Sequence, residues 1–161
     1  MIRHAGLIAR YDRGLWGGIL IEGLSGSGKS DLALRAIGAG FRLVADDRTL
    51  VFVSQGALYG KAPTSLRGLL EVRGVGIIAE RTLPMARIVL LARCMDHPDA
   101  PPRLPDPVFA DIAGVRLPVL ELWPFDTSAP DKLIRAMEHL GGRRQQEYDA
   151  PFAPNSGRGG V

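Results

Sequence analysis

Gly23-Leu24-Ser25-Gly26-Ser27-Gly28-Lys29-Ser30 decides the fold of this chain, because it matches the phosphate-loop pattern G-x-x-x-x-G-K-[ST] at every fixed position. Its glycines let successive backbone N–H groups point inward around a phosphate. An apolar stretch at 19–21 precedes this phosphate loop, and apolar residues at helical spacing over 31–37 follow it. A helix that begins at Lys29 adds its positive dipole end. The stretch therefore predicts an α/β domain that binds nucleotide phosphates.

Two side chains of the phosphate loop have expected roles of their own. Lys29 supplies a mobile positive charge for the outer phosphates, and the Ser30 hydroxyl is the expected Mg²⁺ ligand. A GTPase would also need an Asn-Lys-x-Asp guanine motif, which the sequence lacks. An AAA or transport ATPase would need a longer chain. A small kinase is therefore the class of nucleotide-binding protein that fits.

An acidic pair, Asp46 and Asp47, follows an apolar strand expected at 41–45, sixteen and seventeen residues after Ser30. We expect that strand to run beside the strand that precedes the phosphate loop, so that its carboxyl end faces the phosphates. One carboxylate can then position a metal ion or its waters, while the other takes a proton from an attacking hydroxyl. The alternative interpretation is a solvated acidic turn.

Three further positions carry weaker signals. Glu71 and Arg73 alternate on one face of an extended stretch at 70–78, where they could contact metal and phosphate or form a surface salt bridge on an edge strand. His4 begins a short strand, although a lone histidine near a terminus is usually a surface residue. Arg103 lies in a loop at 96–107 that holds five of the twelve prolines, and it could clamp a phosphate.

The remaining pattern predicts one domain at 1–141 and a flexible tail at 142–161, which is polar and lacks periodicity. Turn-forming residues at 11–14 separate the first two strands. The predicted strands are 7–9, 19–21, 41–45, 50–53, 88–92 and 119–122, with 50–53 as the hairpin partner of 41–45. The predicted helices are 31–37 and 130–140.

Charge and composition exclude several other classes of protein. Lys+Arg 20 against Asp+Glu 17 gives a net charge of +3, which is spread along the chain and argues against nucleic-acid binding. The apolar run at 88–92 is far shorter than the roughly 20 residues of a membrane helix. The first residues lack the apolar stretch of a signal peptide. One cysteine, Cys94, agrees with a reducing compartment. We therefore expect a cytoplasmic protein that does not bind membranes.

These segments together resemble the catalytic domain of the HPr serine kinase/phosphorylase family, in its short alphaproteobacterial form. The matching features run in order over about residues 4–80. They are His4-Ala5-Gly6, the phosphate loop, Gly40-Phe41-Arg42-Leu43-Val44-Ala45-Asp46-Asp47, Ala62-Pro63 and Leu70-Glu71-Val72-Arg73-Gly74-Val75-Gly76-Ile77-Ile78. The last segment is the most specific, because phosphate-loop proteins in general lack it. The resemblance implies a mixed central sheet similar to the phosphoenolpyruvate carboxykinase-like nucleotide-binding core.

The resemblance also implies roles for the site residues. Lys29 would hold the β- and γ-phosphates of ATP. Ser30 and Glu71 would bind Mg²⁺. Asp47 would accept the proton of the substrate serine, with Asp46 in the metal shell or supporting it. His4 would lie close to the catalytic aspartate.

The implied activity is ATP- and Mg²⁺-dependent phosphorylation of a serine on an HPr-like phosphocarrier protein of a phosphotransferase system, carried out by a homohexamer. Arg103 would correspond to an arginine of a mobile loop in the family. A Val-x-Pro-Gly-Arg-Asn segment of the longer enzymes is tied to the phosphorylase direction. Its place is taken here by Leu120-Glu121-Leu122-Trp123-Pro124-Phe125-Asp126, which argues against reverse phosphorolysis. Two other functions stay open, a phosphate-loop kinase of a small metabolite and a non-catalytic nucleotide-sensing regulator.

Overall fold

A computed structural model describes residues 1–140 of the chain. Those residues form eleven strands and two α-helices. The strands are β1 (Ile2–Arg3), β2 (Ala5–Asp12), β3 (Leu15–Glu22), β4 (Arg42–Ala45), β5 (Thr49–Ser54), β6 (Ala57–Lys61), β7 (Leu69–Val72), β8 (Gly76–Ala79), β9 (Ala86–Cys94), β10 (Val108–Ile112) and β11 (Val115–Leu122). The helices are α1 (Lys29–Gly38) and α2 (Ala129–His139). The predicted tail at 142–161 lies outside the described residues.

Nine of these strands form one mixed sheet, as predicted. The order is β1-β5-β6-β9-β3-β2-β4, and β11 and then β10 extend the sheet from β9. β3, β9 and β11 run parallel to one another, while the other pairings are antiparallel. The parallel strands therefore end at a common edge of the sheet, and the phosphate loop follows the end of β3. Open α/β sheets bind ligands at this kind of edge.

Tight two-residue turns connect three of the antiparallel pairs. Arg13-Gly14, Gln55-Gly56 and Ala113-Gly114 each place both residues at positive φ. This is the backbone of a type I′ turn, whose twist matches that of the flanking strands. The predicted turn at 11–14 is therefore confirmed. Because the turn is tight, β2 and β3 stay paired up to the turn itself. Each strand is therefore eight residues long, rather than the three residues expected at 7–9 and at 19–21.

The expected hairpin between 41–45 and 50–53 is wrong. β4 pairs with β2, whereas β5 pairs with β1 and β6 on the other side of the sheet. The turn between β4 and β5 holds Asp47 at φ +61 and carries the chain away from β4. β2 is buried along most of its length, and β4 covers its outer edge. Pairing of β4 with the buried strand β2 thus replaces the expected local hairpin between β4 and β5.

The same pairing corrects the expected neighbour of β3. β2, rather than β4, lies beside β3. Because β2 is antiparallel to both strands, β4 still runs in the direction of β3 and ends at the same edge. The predicted position of the acidic pair is therefore right, although one strand intervenes.

Alternation along the central strands fills a core on each face of the sheet. Ile19 and Ile21 face the helices, while Leu20 faces the opposite cluster. In β9, Ile88 and Leu90 belong to different clusters despite their two-residue spacing. A register shift between Gly18 and Ile19 leaves Val89 as an extra residue, and such a bulge reverses the alternation.

Both predicted helices form within one or two residues of their expected limits. α1 buries Leu32, Ala33 and Ala36 against the sheet, and α2 buries Leu133 on the same face. Removing one leucine side chain from water stabilises the fold by about 2 kcal/mol. The helices therefore fix the phosphate loop relative to the sheet, because α1 begins inside the loop. Neither of them is long and apolar enough to cross a membrane.

β7 and β8 form a separate two-stranded sheet at the edge of the molecule. Leu70 anchors this hairpin in the core that contains α1. Val72 and Ile78 are half-buried against the same core, whereas Leu69, Val75 and Ile77 are exposed. Leu70, Val72 and Ile78 therefore hold the hairpin on the core, and its remaining apolar side chains form an exposed surface.

Candidate nucleotide-binding and catalytic site

The phosphate loop joins β3 to α1 with a geometry that depends on its glycines. Gly28, at φ +96, is the N-cap residue of α1, and its carbonyl accepts the hydrogen bond of the Leu32 N–H at 2.9 Å. A side chain at Gly23 would meet Ser27 Oγ at 2.5 Å and Cys94 Cβ at 2.9 Å. The loop thus folds tightly over the end of β9. The Ser27 N–H donates to the Leu24 carbonyl at 3.0 Å within the loop, and glycine-rich loops of this kind surround an anion with their other N–H groups.

Lys29 closes the loop on itself. Its Nζ donates to the carbonyl oxygens of Gly23 and Leu24, both at 2.9 Å. These exchangeable contacts hold the ammonium at the mouth of the loop. A phosphate oxygen would give Lys29 a charged acceptor, and such hydrogen bonds are about twice as strong as neutral ones.

Ser30 and Asp46 meet at the centre of the site. The Ser30 hydroxyl, in the first turn of α1, donates to Asp46 Oδ1 at 2.8 Å. The backbone N–H of Glu71 donates to the other oxygen of the same carboxylate, Asp46 Oδ2, at 3.2 Å. Asp46 therefore links the phosphate loop to the β7–β8 hairpin. The structure thus brings together three residues of which the first and last, Ser30 and Glu71, lie 41 positions apart in the sequence.

These groups fit a magnesium ion that is shared with a nucleotide. Mg²⁺ is usually held by one or two carboxylates together with waters and phosphate oxygens, rather than by an all-protein cage. Ser30 and Asp46 supply a hydroxyl and a carboxylate beside the phosphate loop. In keeping with that pattern, residues 1–140 contain no cluster of three or more His, Cys, Asp or Glu side chains able to hold a metal alone. Ser27 Oγ, buried in the loop without a hydrogen-bond partner, adds an unsatisfied polar atom beside the same space.

Asp47 differs from its neighbour in conformation and exposure. It has φ +61, an uncommon value for a residue with a side chain, and its side chain is exposed. Such backbone strain often accompanies a functional position. The turn itself is closed by a hydrogen bond from the Arg48 N–H to the Asp46 carbonyl at 2.6 Å. Asp46 thus points into the site, while Asp47 stands at its open rim.

His4 lies at the same rim. It joins β1 to β2, and it lines a surface depression together with Glu22 and Gly23 at the start of the phosphate loop. In the antiparallel β1–β5 ladder, Arg3 is opposite Thr49. His4 directly follows β1 at the same end of the ladder at which Asp47 and Arg48 precede β5. The buried Thr49 fixes this arrangement by donating to the Ala5 carbonyl at 2.7 Å. The structure therefore places His4 beside the start of the phosphate loop, and its role next to the catalytic aspartate stays a prediction.

Glu71 and Arg73 do not share the face of one strand as expected. β7 ends at Val72, and Arg73 lies in the turn that leads to β8, closed by the Val75 N–H on the Val72 carbonyl at 3.0 Å. The glycine at position 74, with φ +86, allows this reversal. Glu71 stays beside Asp46, whereas Arg73 is at the tip of the hairpin.

Arg103 is not brought into this cluster. It is exposed in the segment between β9 and β10. Within the part of the chain that the structure describes, no hydrogen bond or ion pair connects it to the phosphate loop or the aspartates. Its assignment as a phosphate clamp stays a prediction.

Two features of the site were not predicted from the sequence. Arg35 of α1 donates to the backbone carbonyls of Pro124 and Asp126, which ties the loop after β11 to the phosphate-loop helix. Through this tie the Phe125 ring lies against Gly28, where an added Cβ would be 2.7 Å from Cζ. The only sequence signal is that 123–126, like the phosphate loop, follows an apolar strand.

Cys94 lies beneath the phosphate loop, at the end of β9. Burial raises the pKa of its thiol from 9.0 to about 11, although the positive charges of Lys29 and Arg35 act in the opposite direction. The thiol is therefore neutral at pH 7 and a weak nucleophile, so that its role here is packing.

Comparison with known proteins finds related sequences for much of the chain. The family model for the HPr Serine kinase C-terminal domain matches residues 3–89, which include every predicted site residue except Arg103. An HPr kinase/phosphorylase of Leptothrix cholodnii is 42% identical over 110 residues, 61% of this chain and 34% of the relative. An HPr kinase/phosphorylase of Streptococcus thermophilus is 35% identical over 150 residues, 83% of this chain and 47% of the relative.

A solved structure shares the fold over nearly the whole chain. The Hpr(Ser) kinase/phosphatase from Coxiella burnetii superposes with a TM-score of 0.73, covering 94% of this chain and 96% of that one at 23% identity. This confirms the predicted α/β architecture with its mixed sheet. The chain spans between a third and a half of the length of the two curated relatives above.

Proposed function

Since the chain belongs to the HPr serine kinase C-terminal domain family, we propose that it is an ATP- and Mg²⁺-dependent protein serine kinase whose substrate is an HPr-like phosphocarrier protein. The relatives named above are HPr kinase/phosphorylases, and the site has the parts that phosphoryl transfer needs. The proposed direction is phosphorylation alone, because 120–126 lacks the segment expected for the reverse reaction.

The contact between Ser30 and Asp46 carries this proposal. A hydroxyl from the phosphate-loop helix and a carboxylate from the turn after β4, 2.8 Å apart, form the pair that orients a nucleotide-bound magnesium ion in phosphate-loop enzymes. An ordinary acidic turn would have no reason to face the first turn of α1. The contact therefore favours a working nucleotide site over a solvated acidic turn.

The chemistry assigned to each residue follows from its position. Lys29 and the backbone N–H groups of the loop stabilise the negative charge that develops on the transferring phosphoryl group, which is where most of the rate enhancement arises. Asp47, at the open rim, orients the serine hydroxyl of the incoming protein and accepts its proton. His4, at the same rim, lies beside that reaction. An exposed base suits a protein substrate, which must reach the site from outside.

Magnesium, when bound, would neutralise charge on the β- and γ-phosphates. Ser30, Asp46 and Glu71 are the residues that would hold it. Asp46 and Glu71 add negative charge beside a nucleotide that is itself anionic. We therefore expect little ATP binding or turnover in the presence of excess chelator, and full activity there would contradict the proposal.

A phosphate-transfer assay tests the proposed reaction. Purified chain, labelled ATP and Mg²⁺ are mixed with an HPr-like protein from the same organism, and in parallel with its serine-to-alanine variant. We expect label on the intact protein alone. Asp47→Asn should lower the rate by about 10²–10⁴-fold, the usual contribution of a general base, while ATP binding is retained.

The control for Asp47→Asn is Asp99→Asn, an exposed aspartate in the loop after β9, which should leave the rate unchanged. Absence of label with ATP still bound would overturn the protein-kinase proposal. Transfer to small metabolites without any protein acceptor would then indicate a metabolite kinase. Tight ATP binding without any transfer would indicate a nucleotide sensor.

A further inference from the structure

An aromatic pair stands beside the phosphate loop without a role in phosphoryl transfer. Phe125 is 52% exposed, although it is a large apolar residue next to the most polar part of the molecule. Trp123 contacts it edge to face, with ring centroids 5.8 Å apart. Both residues lie outside the part of the chain that the family model matches.

The position of this pair is fixed relative to the phosphate loop. Arg35 donates to the Asp126 carbonyl at 3.2 Å and to the Pro124 carbonyl, so that α1 itself holds the segment on both sides of Phe125. Lys132 of α2 binds the Asp126 carboxylate at 2.5 Å. Because the segment is anchored from two helices, the Cζ end of the Phe125 ring stays against Gly28 while about half of the residue remains exposed.

The polar groups around the aromatic pair are already engaged. Arg35 also pairs with Asp31 at 2.9 Å, and Asp126 pairs with Lys132. The charged neighbours of the pair, Arg35 and Asp126, are therefore already paired, and the surface offered to a ligand is mainly aromatic ring. Such a face recognises flat, polarisable rings by stacking, with little discrimination by hydrogen bonds.

We propose that the Phe125 ring, supported by Trp123, is the platform on which the purine base of the nucleotide stacks while its phosphates occupy the phosphate loop. This inference rests on the proposed function, since it takes a nucleoside triphosphate as the ligand of the loop. It adds the base subsite and its selectivity. Because stacking depends on ring area, ATP and GTP bind within a few-fold of each other, and UTP and CTP bind more weakly.

Binding measurements on matched variants test the platform. The ligands are Mg-ATP and magnesium tripolyphosphate, which has the phosphates without a base. Phe125→Leu keeps apolar volume against Gly28 but removes the aromatic face. We expect it to weaken ATP binding by about tenfold and to leave tripolyphosphate binding within twofold. Phe125→Tyr restores the ring and should restore ATP binding.

Phe109→Leu is the matched control, because Phe109 is 47% exposed on β10, which β9 and β11 separate from β3. A spectroscopic measurement is independent of affinity. In a Trp16→Phe background, Trp123 is the sole tryptophan of the chain, and ATP should quench its fluorescence where tripolyphosphate does not.

Equal loss of ATP and tripolyphosphate binding in Phe125→Leu would overturn the inference, since the residue would then only support the loop. Unchanged ATP binding in Phe125→Leu would overturn it as well. The proposed function fails separately, when ATP binds but no phosphate reaches the HPr-like protein. The binding of ATP and tripolyphosphate therefore tests the base platform, and phosphate transfer to the HPr-like protein tests the kinase proposal.

Discussion

Asp46 and Asp47 are adjacent in the chain, but their different contacts and exposure indicate different roles. Asp46 accepts hydrogen bonds from Ser30 and from the Glu71 N–H, whereas Asp47 is exposed in a left-handed turn. Asp46→Asn keeps an oxygen for Ser30 but removes the negative charge. We expect the Mg²⁺ concentration for half-maximal transfer to rise about tenfold or more, with a smaller change in kcat at saturating Mg²⁺. A Mg²⁺ titration of the transfer rate measures this.

Asp47→Asn provides the comparison for that titration. It should lower kcat at every Mg²⁺ concentration without moving the midpoint. If Asp46→Asn lowered kcat and left the midpoint unchanged, the two assignments would have to be exchanged.

The raised pKa of Cys94 predicts a stability loss in alkali. Its pKa is about 11 in the folded chain against an ordinary value of 9.0, so the folded state retains a proton that the unfolded state loses. Stability is therefore unaffected below pH 9 and falls as the pH rises from about 9 to 11. Two pKa units correspond to about 2–3 kcal/mol. The measurement is urea unfolding of wild type and Cys94→Ala between pH 7 and 11.

The comparison of the two proteins at each pH controls for the lysines and tyrosines, which titrate in the same range and are common to both. The stability difference between them should shrink from pH 9 upward. A difference that stays constant with pH would show that Cys94 is not protected from ionisation.

For single residues, the sequence was sufficient to identify the phosphate loop and the acidic pair, but not the residues that pack around them. The spacing between Ser30 and Asp46 was informative because both follow a strand that ends at the same edge. Phe125 and Arg35 could not be predicted in this way, because the loop after β11 and α1 are far apart in the sequence and meet only in the folded chain. Arg103 stays a prediction, because among residues 1–140 no hydrogen bond or ion pair joins it to the site and residue type in a loop does not determine its position.

Among the elements, the junction of β1, β2 and β5 is held by one buried hydroxyl. Thr49 is fully buried and donates to the Ala5 carbonyl at 2.7 Å. Thr49→Val keeps the shape but leaves that carbonyl without this donor. We expect a loss of about 1–2 kcal/mol in unfolding free energy, and a fall of a few degrees in Tm. Thermal and urea unfolding measure the loss.

Thr64→Val, at an exposed position in the turn before β7, is the matched control and should be nearly neutral. Because Thr49 follows Asp47 by two residues, its variant should also lower kcat more than ATP affinity. Unchanged stability would show that the hydroxyl is not needed to hold β5 against the start of β2.

Elements with a strong local pattern were predictable, and long-range pairing was not. α1 and α2 have apolar residues at helical spacing, so that their existence follows from the sequence alone. β4 and β5 are adjacent short apolar runs, for which a hairpin is the simplest expectation. Instead, β4 pairs with the edge of the buried strand β2. No local sequence pattern predicts which strand will pair with such an edge.

For the molecule as a whole, the β7–β8 hairpin is the surface that the fold leaves incomplete. A two-stranded sheet is marginally stable by itself, and here Val75 and Ile77 are each 72% exposed at its tip and outer strand. The same hairpin positions Glu71 beside Asp46. Covering it with another copy of the chain would hide apolar surface and steady the site at once.

We therefore expect the chain to assemble through this hairpin, with the hexamer implied by the family resemblance as the predicted size. Light scattering after size exclusion should give six times the 17.3 kDa chain mass. Ile77→Asp places a charge on the exposed apolar surface and should lower the mass and the kcat together, because Glu71 loses its support. Leu15→Asp, at a 75% exposed residue beside the β2–β3 turn, is the control and should change neither. A wild-type mass of 17.3 kDa at micromolar concentration would contradict assembly, and an Ile77→Asp variant that keeps the full mass would show that the contact lies elsewhere.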